Sequence, residues 1–324
     1  MKALPLNHND FVQILGPDCK KFLQGQVSCN IDLLSRDKSL RGVLCNLKGR
    51  VIADFRAIQA GEAIWLQTEA GMGQQLIDVL SKYAVFSKVE ISLVSLTGKI
   101  IGLFHEREIE PFANLPEPPP LADLPADDDA VVSGDDCIVI KLPAVKSKYQ
   151  VISLNTKGDA LLAKVLELAE TATEAEWAML DIEIGILHIN EQDSEQFTPQ
   201  LLNYDISGVI DFKKGCYTGQ EIVARMFYRS TAKKRLQLLS SPLKADAADT
   251  IIYSEAGAEK TTGILRIANV PDSTEGSLIL AILGMQAIDS LSPPRLLKAV
   301  PIEAIEPAIN SESFLQFLTL PYIK

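Results

Sequence analysis

Asp211-Phe212-Lys213-Lys214-Gly215-Cys216-Tyr217-Thr218-Gly219-Gln220-Glu221-Ile222-Val223-Ala224-Arg225 is the most informative stretch of this sequence. Two glycines bracket a cysteine, and glycines at such spacing let a backbone turn tightly and approach a ligand closely. From Gln220 onward the residues favour a helix, which puts the thiol just ahead of a helix N-terminus. There the helix dipole and the neighbouring Lys213 and Lys214 would both favour a thiolate. A cysteine packed into a structural turn would satisfy the same spacing, so the residues alone leave both readings open. Glu221 and Arg225 stand four apart on the expected helix and can simply pair there.

Upstream, Phe11 to Leu15 reads as a strand that Gly16-Pro17-Asp18 ends, with a helix over Cys19 to Leu23. Val51 to Ile58 and Ala63 to Thr68 read as a hairpin around Gln59-Ala60-Gly61-Glu62. The spacing of Leu76, Ile77, Leu80 and Tyr83 predicts a helix over Gln74 to Tyr83, and Ile91 to Phe104 returns to strand composition. Pro111, Pro116, Pro118, Pro119, Pro120 and Pro125, followed by Asp127-Asp128-Asp129, read as a surface crossing near 111–129. Strands at Cys137 to Leu142 and Gln150 to Leu154, then a helix over Asp159 to Leu168, follow. Thr173 and Glu176 form a capping box for a helix whose Trp177, Leu180 and Ile184 share one face before Gly185 stops it. After Arg235 the pattern changes to short apolar runs at Leu236 to Leu239, Thr250 to Tyr253, Gly263 to Ile267 and Ser277 to Leu283, an all-β module expected to be a small barrel.

The chain has 324 residues, more than one core usually serves, and at 47% hydrophobic and 23% charged it is ordinary for a globular protein. With 42 acidic against 31 basic residues, a net charge of -11 argues against a general nucleic-acid or anionic-membrane binder. No run suggests a secretory leader or a membrane span, so a cytoplasmic location is expected. The five cysteines lack a C-x-x-C pair, which fits neither a disulfide framework nor a zinc ribbon. His8, His105 and His188 are scattered without an H-E-x-x-H pattern, so no resident metal is expected. His188 reads as a hydrogen-bonded, half-buried residue and Cys45 as a packed thiol.

Lys214 through Glu221 reads K-G-C-Y-T-G-Q-E, which resembles the signature of the YgfZ family, itself related to the T-protein of the glycine cleavage system and to mitochondrial iron-sulfur assembly factors. Gln24-Gly25-Gln26-Val27, Lys82-Tyr83-Ala84-Val85-Phe86-Ser87-Lys88-Val89 and Gln196-Phe197-Thr198-Pro199-Gln200 agree with the family in order. The resemblance runs from about residue 10 to residue 235 and weakens beyond. It implies an α+β, three-domain, aminomethyltransferase-like folate-binding fold arranged as a ring with a C-terminal small β-barrel. Residues 1–235 would form a folate-binding body of two intertwined α+β domains and 236–324 the barrel.

The same resemblance implies a tetrahydrofolate-binding accessory protein that supports iron-sulfur cluster assembly or repair and thereby tRNA modification by methylthiolation. Its partners would be folate and iron-sulfur enzymes such as tRNA methylthiolases, and the chain would be a monomer without a membrane association. Cys216, with Lys214, carries the functional thiol. Trp177 matches a tryptophan that lines the folate site, and its indole suits stacking on a pterin or aminobenzoyl ring. The family's N-terminal tryptophan is missing, since the chain has only Trp65 and Trp177, and Phe11 is the candidate substitute. Tyr217, Gln220, Glu221 and Arg225 complete the implied folate set. The run Arg225, Arg229, Lys233, Lys234 and Arg235, interleaved with Met226, Phe227 and Tyr228, is a local positive island on an acidic protein. It could hold the glutamyl tail of a polyglutamylated folate, a tRNA phosphate or an acidic partner, or be a solvated linker.

The alternatives are a folate-dependent one-carbon (aminomethyl) transferase of the T-protein type and a non-catalytic docking module for iron-sulfur enzymes. The T-protein's catalytic pattern aligns with Gly49-Arg50-Val51-Ile52-Ala53-Asp54, where one aspartate has become Ala53. Proton transfer needs a placed carboxylate, so aminomethyl transfer, and classical enzyme activity generally, is not expected.

Overall fold

Apolar alternation and turn chemistry produce most of the elements seen in the computed structural model, which describes residues 1–105, 124–255, 257–269, 276–288, 290, 292–299 and 314–322. Pro111, Pro116, Pro118, Pro119 and Pro120 of the expected crossing lie outside the described residues. In chain order the elements begin with β1 (Lys2–Pro5), β2 (Asn9–Leu15), α1 (Cys19–Gln24), β3 (Leu40–Cys45), β4 (Val51–Ala60) and β5 (Ala63–Glu69). Then come α2 (Met72–Ser81), β6 (Glu90–Val94), β7 (Ile100–Phe104), β8 (Val131–Ser133), β9 (Cys137–Leu142), β10 (Lys148–Ser153), α3 (Thr156–Leu168) and β11 (Glu170–Thr171). The rest are α4 (Glu174–Ile182), α5 (Gln220–Arg229), β12 (Lys234–Ser241), β13 (Thr250–Glu255), β14 (Ala258–Gly263), β15 (Arg266–Asn269), β16 (Ser277–Gly284), β17 (Arg295–Leu297) and β18 (Gln316–Leu318).

Contacts divide the chain into two units, the first made of Met1–Thr173, His188–Pro199 and Ser207–Arg225. It holds a five-stranded sheet in the order β3-β4-β5-β2-β6 and a six-stranded sheet in the order β11-β1-β7-β10-β9-β8. The five-stranded sheet is antiparallel throughout, and its expected hairpin is β4 and β5, paired from Arg56 with Gln67 to Ala60 with Ala63. In the six-stranded sheet Ala3, Ile101, Leu103, Val139 and Val151 form a core against Leu162 and Val165 of α3. Asn155 starts α3 by accepting the backbone N–H groups of Lys157 and Gly158 on Oδ1, at 2.9 and 3.1 Å, so the helix begins three residues before the expected Asp159.

Helix α2 likewise starts two residues ahead of the expected Gln74. The Asp10 carboxylate accepts the Gly71 and Gly73 N–H groups, each at 2.9 Å, and supplies from another strand the cap that the local sequence lacks. The expected strand over Ile91 to Phe104 is interrupted and belongs to two sheets, as β6 and β7.

The second unit comprises Glu174–Leu187, Gln200–Ile206 and Met226–Lys324. Its described strands form a four-stranded sheet, β15-β16-β12-β18, and a three-stranded sheet, β14-β13-β17, with all pairings antiparallel. The apolar run Gly263 to Ile267 is not one strand: Gly263 ends β14 and Arg266 opens β15, in different sheets. Helix α4 begins directly after Thr173 and buries Trp177 and Leu180. Gly185 follows in the left-handed region at φ 70°, where an added Cβ would meet Leu320 and Tyr322 at 2.6 Å, so glycine is required both for conformation and for space.

Candidate functional site

In the motif the side chains alternate sharply between interior and solvent. Lys214 and Tyr217 are buried, while Gly215 and Cys216 are exposed. The segment before it is fixed to β3: Ser28 Oγ donates to Val209 O and accepts Val43 N–H, both at 2.9 Å, and Asp211 N–H donates to Ser28 O at 3.0 Å. Asp211 Oδ1 then accepts Lys213 N–H at 2.7 Å, an Asx-type turn that leads into the lysines.

The Lys214 ammonium donates to the carbonyls of Gln24 and Val27, at 2.7 and 2.5 Å, and lies 5.2 Å from the centre of the Tyr217 ring. These carbonyls belong to the end of α1 and the residues after it, where a cation complements unsatisfied C=O groups. Burial pushes Lys214 down to about 8. Cys29, whose thiolate would favour the ammonium, is itself pushed up to about 12 by burial and is therefore neutral at physiological pH. Two carbonyls and a ring face hold this ammonium, with Asp211 and Asp32 adding favourable charge. The sequence suggested that both lysines would serve the thiol; Lys214 has its ammonium committed beneath the loop, and Lys213 is the exposed one.

Behind the cysteine, Tyr217 is 7% exposed, its hydroxyl is buried without a hydrogen-bond partner among the described residues, and burial raises its pKa. Thr218 Oγ1 donates to Gln26 Oε1 at 3.0 Å. Gly219 has φ 81°, and an added Cβ would run into Asn46 O. Gly49, at φ 68°, closes the β3–β4 turn, and its added Cβ would meet Ile222 at 2.9 Å. The turn Cys45 to Arg50 and the start of α5 thus meet closely at two glycines, Gly219 against the Asn46 backbone and Gly49 against the Ile222 side chain, which explains the second motif glycine by close approach rather than by ligand access. Helix α5 begins at Gln220, so Cys216 does precede a helix N-terminus. Gln220 is half-buried, while Glu221 and Arg225 are exposed.

Of the five thiols, Cys216 is exposed, Cys19 half-buried, and Cys29, Cys45 and Cys137 buried. Burial raises Cys45 to about 12 and Cys137 to about 11. Among the described residues no group of three or more His, Cys, Asp or Glu side chains could hold a metal. No helix among them is long and apolar enough to cross a membrane.

Other expected site residues lie elsewhere. Phe11 is 1% exposed on β2 and packs edge-on against Trp65, with ring centres 6.2 Å apart. Trp177 is 5% exposed, on α4 in the second unit. Arg235 leaves the positive island: its Nη1 and Nη2 make a two-pronged pair with Asp205 Oδ1 and Oδ2, both at 2.8 Å.

Two features were not foreseen. Asp54 Oδ1 accepts Ile189 N–H at 2.6 Å, and Oδ2 lies 2.9 Å from His188 Nδ1, so carboxylate and imidazole form a pair across 134 positions. Ala53, its neighbour on β4, is fully buried and pairs with Leu44. In the second unit, Glu183 Oε2 is buried without a hydrogen-bond partner among the described residues. Asp54 was marked in the sequence by its place at the end of Gly49 to Asp54, but no local signal points to His188 as its partner, and none separates Glu183 from the other acidic residues.

The antiparallel-rich sheets and few helices of the first unit, with the β sheets of the second, make an aminomethyltransferase-like fold. The structure resembles that of the glycine cleavage system aminomethyltransferase T from Bartonella henselae, with a TM-score of 0.71 over 99% of this chain and 86% of that one at 15% identity. No protein-family model matches the chain. It is 33% identical over 236 residues to the tRNA-modifying protein YgfZ of Hamiltonella defensa, covering 72% of this chain and 68% of that protein. The tRNA-modifying protein YgfZ of Yersinia enterocolitica is 31% identical over 267 residues, 81% of this chain and 79% of the relative. The chain belongs to the YgfZ family of tRNA-modifying proteins.

Proposed function

We propose that this protein binds tetrahydrofolate and supports iron-sulfur cluster assembly or repair, and thereby tRNA methylthiolation, through Cys216. The observation that carries the reading is the placement of Cys216: an exposed thiol on a loop whose other side chains, Lys214 and Tyr217, are anchored inward. A thiol held in this way can reach a partner's surface, which Cys29 and Cys45 cannot.

Folate is supported by the family and by one feature of this chain. Among the described residues Glu183 presents a buried carboxylate oxygen without a hydrogen-bond partner, and a pterin ring carries adjacent N–H donors that such an oxygen takes. Trp177 stands on the preceding helix of the same unit, where its indole would border the ring. Bound folate supplies a one-carbon carrier or a structural ligand; Glu183 and Trp177 bind and orient it.

The test joins two readouts. Tetrahydrofolate titrated calorimetrically into the parent should bind, and Glu183→Gln should weaken it by about tenfold or more, the cost of a lost charge-assisted hydrogen bond. In cells lacking the endogenous family member, the parent should restore the methylthio content of bulk tRNA and Cys216→Ser should not. Unaltered folate binding in Glu183→Gln and Trp177→Ala would remove the folate site, and full restoration by Cys216→Ser would remove the thiol.

The Asp54–His188 pair favours a second reading, folate-dependent one-carbon transfer, because an imidazole oriented by a carboxylate can move a proton. Recovery of methylene- or methyl-tetrahydrofolate unchanged after incubation with the protein and amine acceptors would set that reading aside.

A further inference from the structure

At the end of α5 and the start of β12 the second unit combines two exposed aromatic rings with exposed cations. Tyr228 is 66% and Phe227 38% exposed, with ring centres 5.0 Å apart and planes at 82°. Arg229, Lys233 and Lys234 are exposed beside them in the sequence, and no acidic residue occurs between Glu221 and Asp246. The cations are placed by a fixed backbone: Lys233 O accepts Met285 N–H at 2.9 Å, and Lys234 pairs with Gly284 in the sheet. The next residue, Arg235, turns inward to Asp205, so the strand sorts one cation to the interior and leaves its neighbours outside.

A cation in the last turn of a helix is explained by the dipole alone. The exposed rings are not. A glutamyl tail or an acidic peptide would use the cations but offers no flat partner for Tyr228, whereas an unpaired base offers both a ring and a phosphate. We propose that this end of the second unit is a contact surface for single-stranded RNA, with Tyr228 and Phe227 as the stacking platform and Arg229, Lys233 and Lys234 as phosphate partners. The choice of RNA over DNA rests on the tRNA-linked reading above; the surface itself is independent of folate. On a chain of net charge -11 such a contact is local and strongly dependent on salt.

The experiment is fluorescence anisotropy of a labelled single-stranded RNA of about 12 nucleotides, within the usual span of such sites. The same sequence as DNA and pentaglutamate as competitor are run beside it, without folate. Tyr228→Ala should weaken RNA binding about 5- to 100-fold while leaving its salt dependence in place. The triple exchange Arg229→Gln, Lys233→Gln, Lys234→Gln should lower the slope of log affinity against log salt by about 2. All these side chains are exposed, and matching thermal unfolding of parent and variants confirms that the fold is kept. Three results would overturn the proposal: unchanged affinity in Tyr228→Ala, displacement of RNA by pentaglutamate as effective as by unlabelled RNA, or equal affinity for the DNA strand. Failure of tetrahydrofolate binding would undo the folate reading and leave this surface standing.

Discussion

Cys216 and Lys214 stand two positions apart, and their environments differ more than their sequence neighbourhood suggests. The thiol is exposed, while the ammonium lies under the loop on the carbonyls of Gln24 and Val27. Brief alkylation with iodoacetamide at neutral pH, followed by peptide mass analysis, should therefore label Cys216 ahead of the other four cysteines. Cys29, Cys45 and Cys137 should label after denaturation, because burial both shields them and raises them to about 12, 12 and 11. Labelling of Cys216 delayed until the protein unfolds would end its candidacy as a functional thiol. The glycine bracket and the lysines pointed to an exposed Cys216 without deciding against a packed one, and the structure supplies the exposure. The fate of Lys214 was not legible: Lys213 and Lys214 look alike, and the partners that distinguish them lie 190 and 187 positions away. Asp54 and His188 were hidden for the same reason, as a pair made by the fold between segments 134 positions apart.

Helix α5 and the β3–β4 turn meet through two glycines, and the contact sets where the thiol loop stands. Gly219 combines φ 81° with a site where a Cβ would strike Asn46 O, whereas a Cβ on Gly215 would meet nothing within 4 Å. Gly219→Ala should therefore cost about 1–3 kcal/mol, from left-handed strain and the clash. Gly215→Ala should stay within about 0.5 kcal/mol of the parent. Thermal unfolding of the two variants checks the difference, and equal midpoints would mean that the loop is not held by close approach at Gly219. At this scale the sequence was most readable where periodicity and cap lay together, as in the hairpin of β4 and β5. It was least readable where the cap came from elsewhere: Asp10 caps α2 from 61 and 63 positions away, so apolar spacing alone began the helix too late. The β module shows a third kind of limit, because Gly263 to Ile267 is apolar enough for a strand yet is cut by a change of sheet that composition does not encode.

Within the first unit, Asp129 joins the two sheets. Its N–H donates to Lys141 O at 2.9 Å in β9, and its carbonyl accepts Ser39 N–H at 2.8 Å beside β3. The carboxylate meets Arg56 Nη1 at 2.6 Å and Arg41 Nε at 3.5 Å, both from the five-stranded sheet. Desolvation by itself would raise this carboxyl; Arg56 and Arg41 more than offset it, so it is held below the usual range. The residue sits at φ 65°, a conformation that aspartate and asparagine tolerate, so Asp129→Asn removes the charge and keeps the backbone preference. A depressed folded pKa gives stability that is present above the unfolded value of about 3.9 and is lost as pH falls through the folded value. Asp129→Asn should accordingly cost about 2 kcal/mol at neutral pH, where two arginines lose their shared anion. The cost should shrink in acid, because below about 3.9 the unfolded parent takes up a proton that the folded carboxylate resists, and this lowers the parent's advantage. Urea unfolding of parent and variant at neutral pH and near pH 3 measures both parts, the lower value lying under the unfolded pKa of about 3.9. Coincident midpoints at neutral pH would show that backbone bonds alone hold the sheets at this point; a difference that persists unchanged in acid would show that the lost interaction is steric rather than ionic.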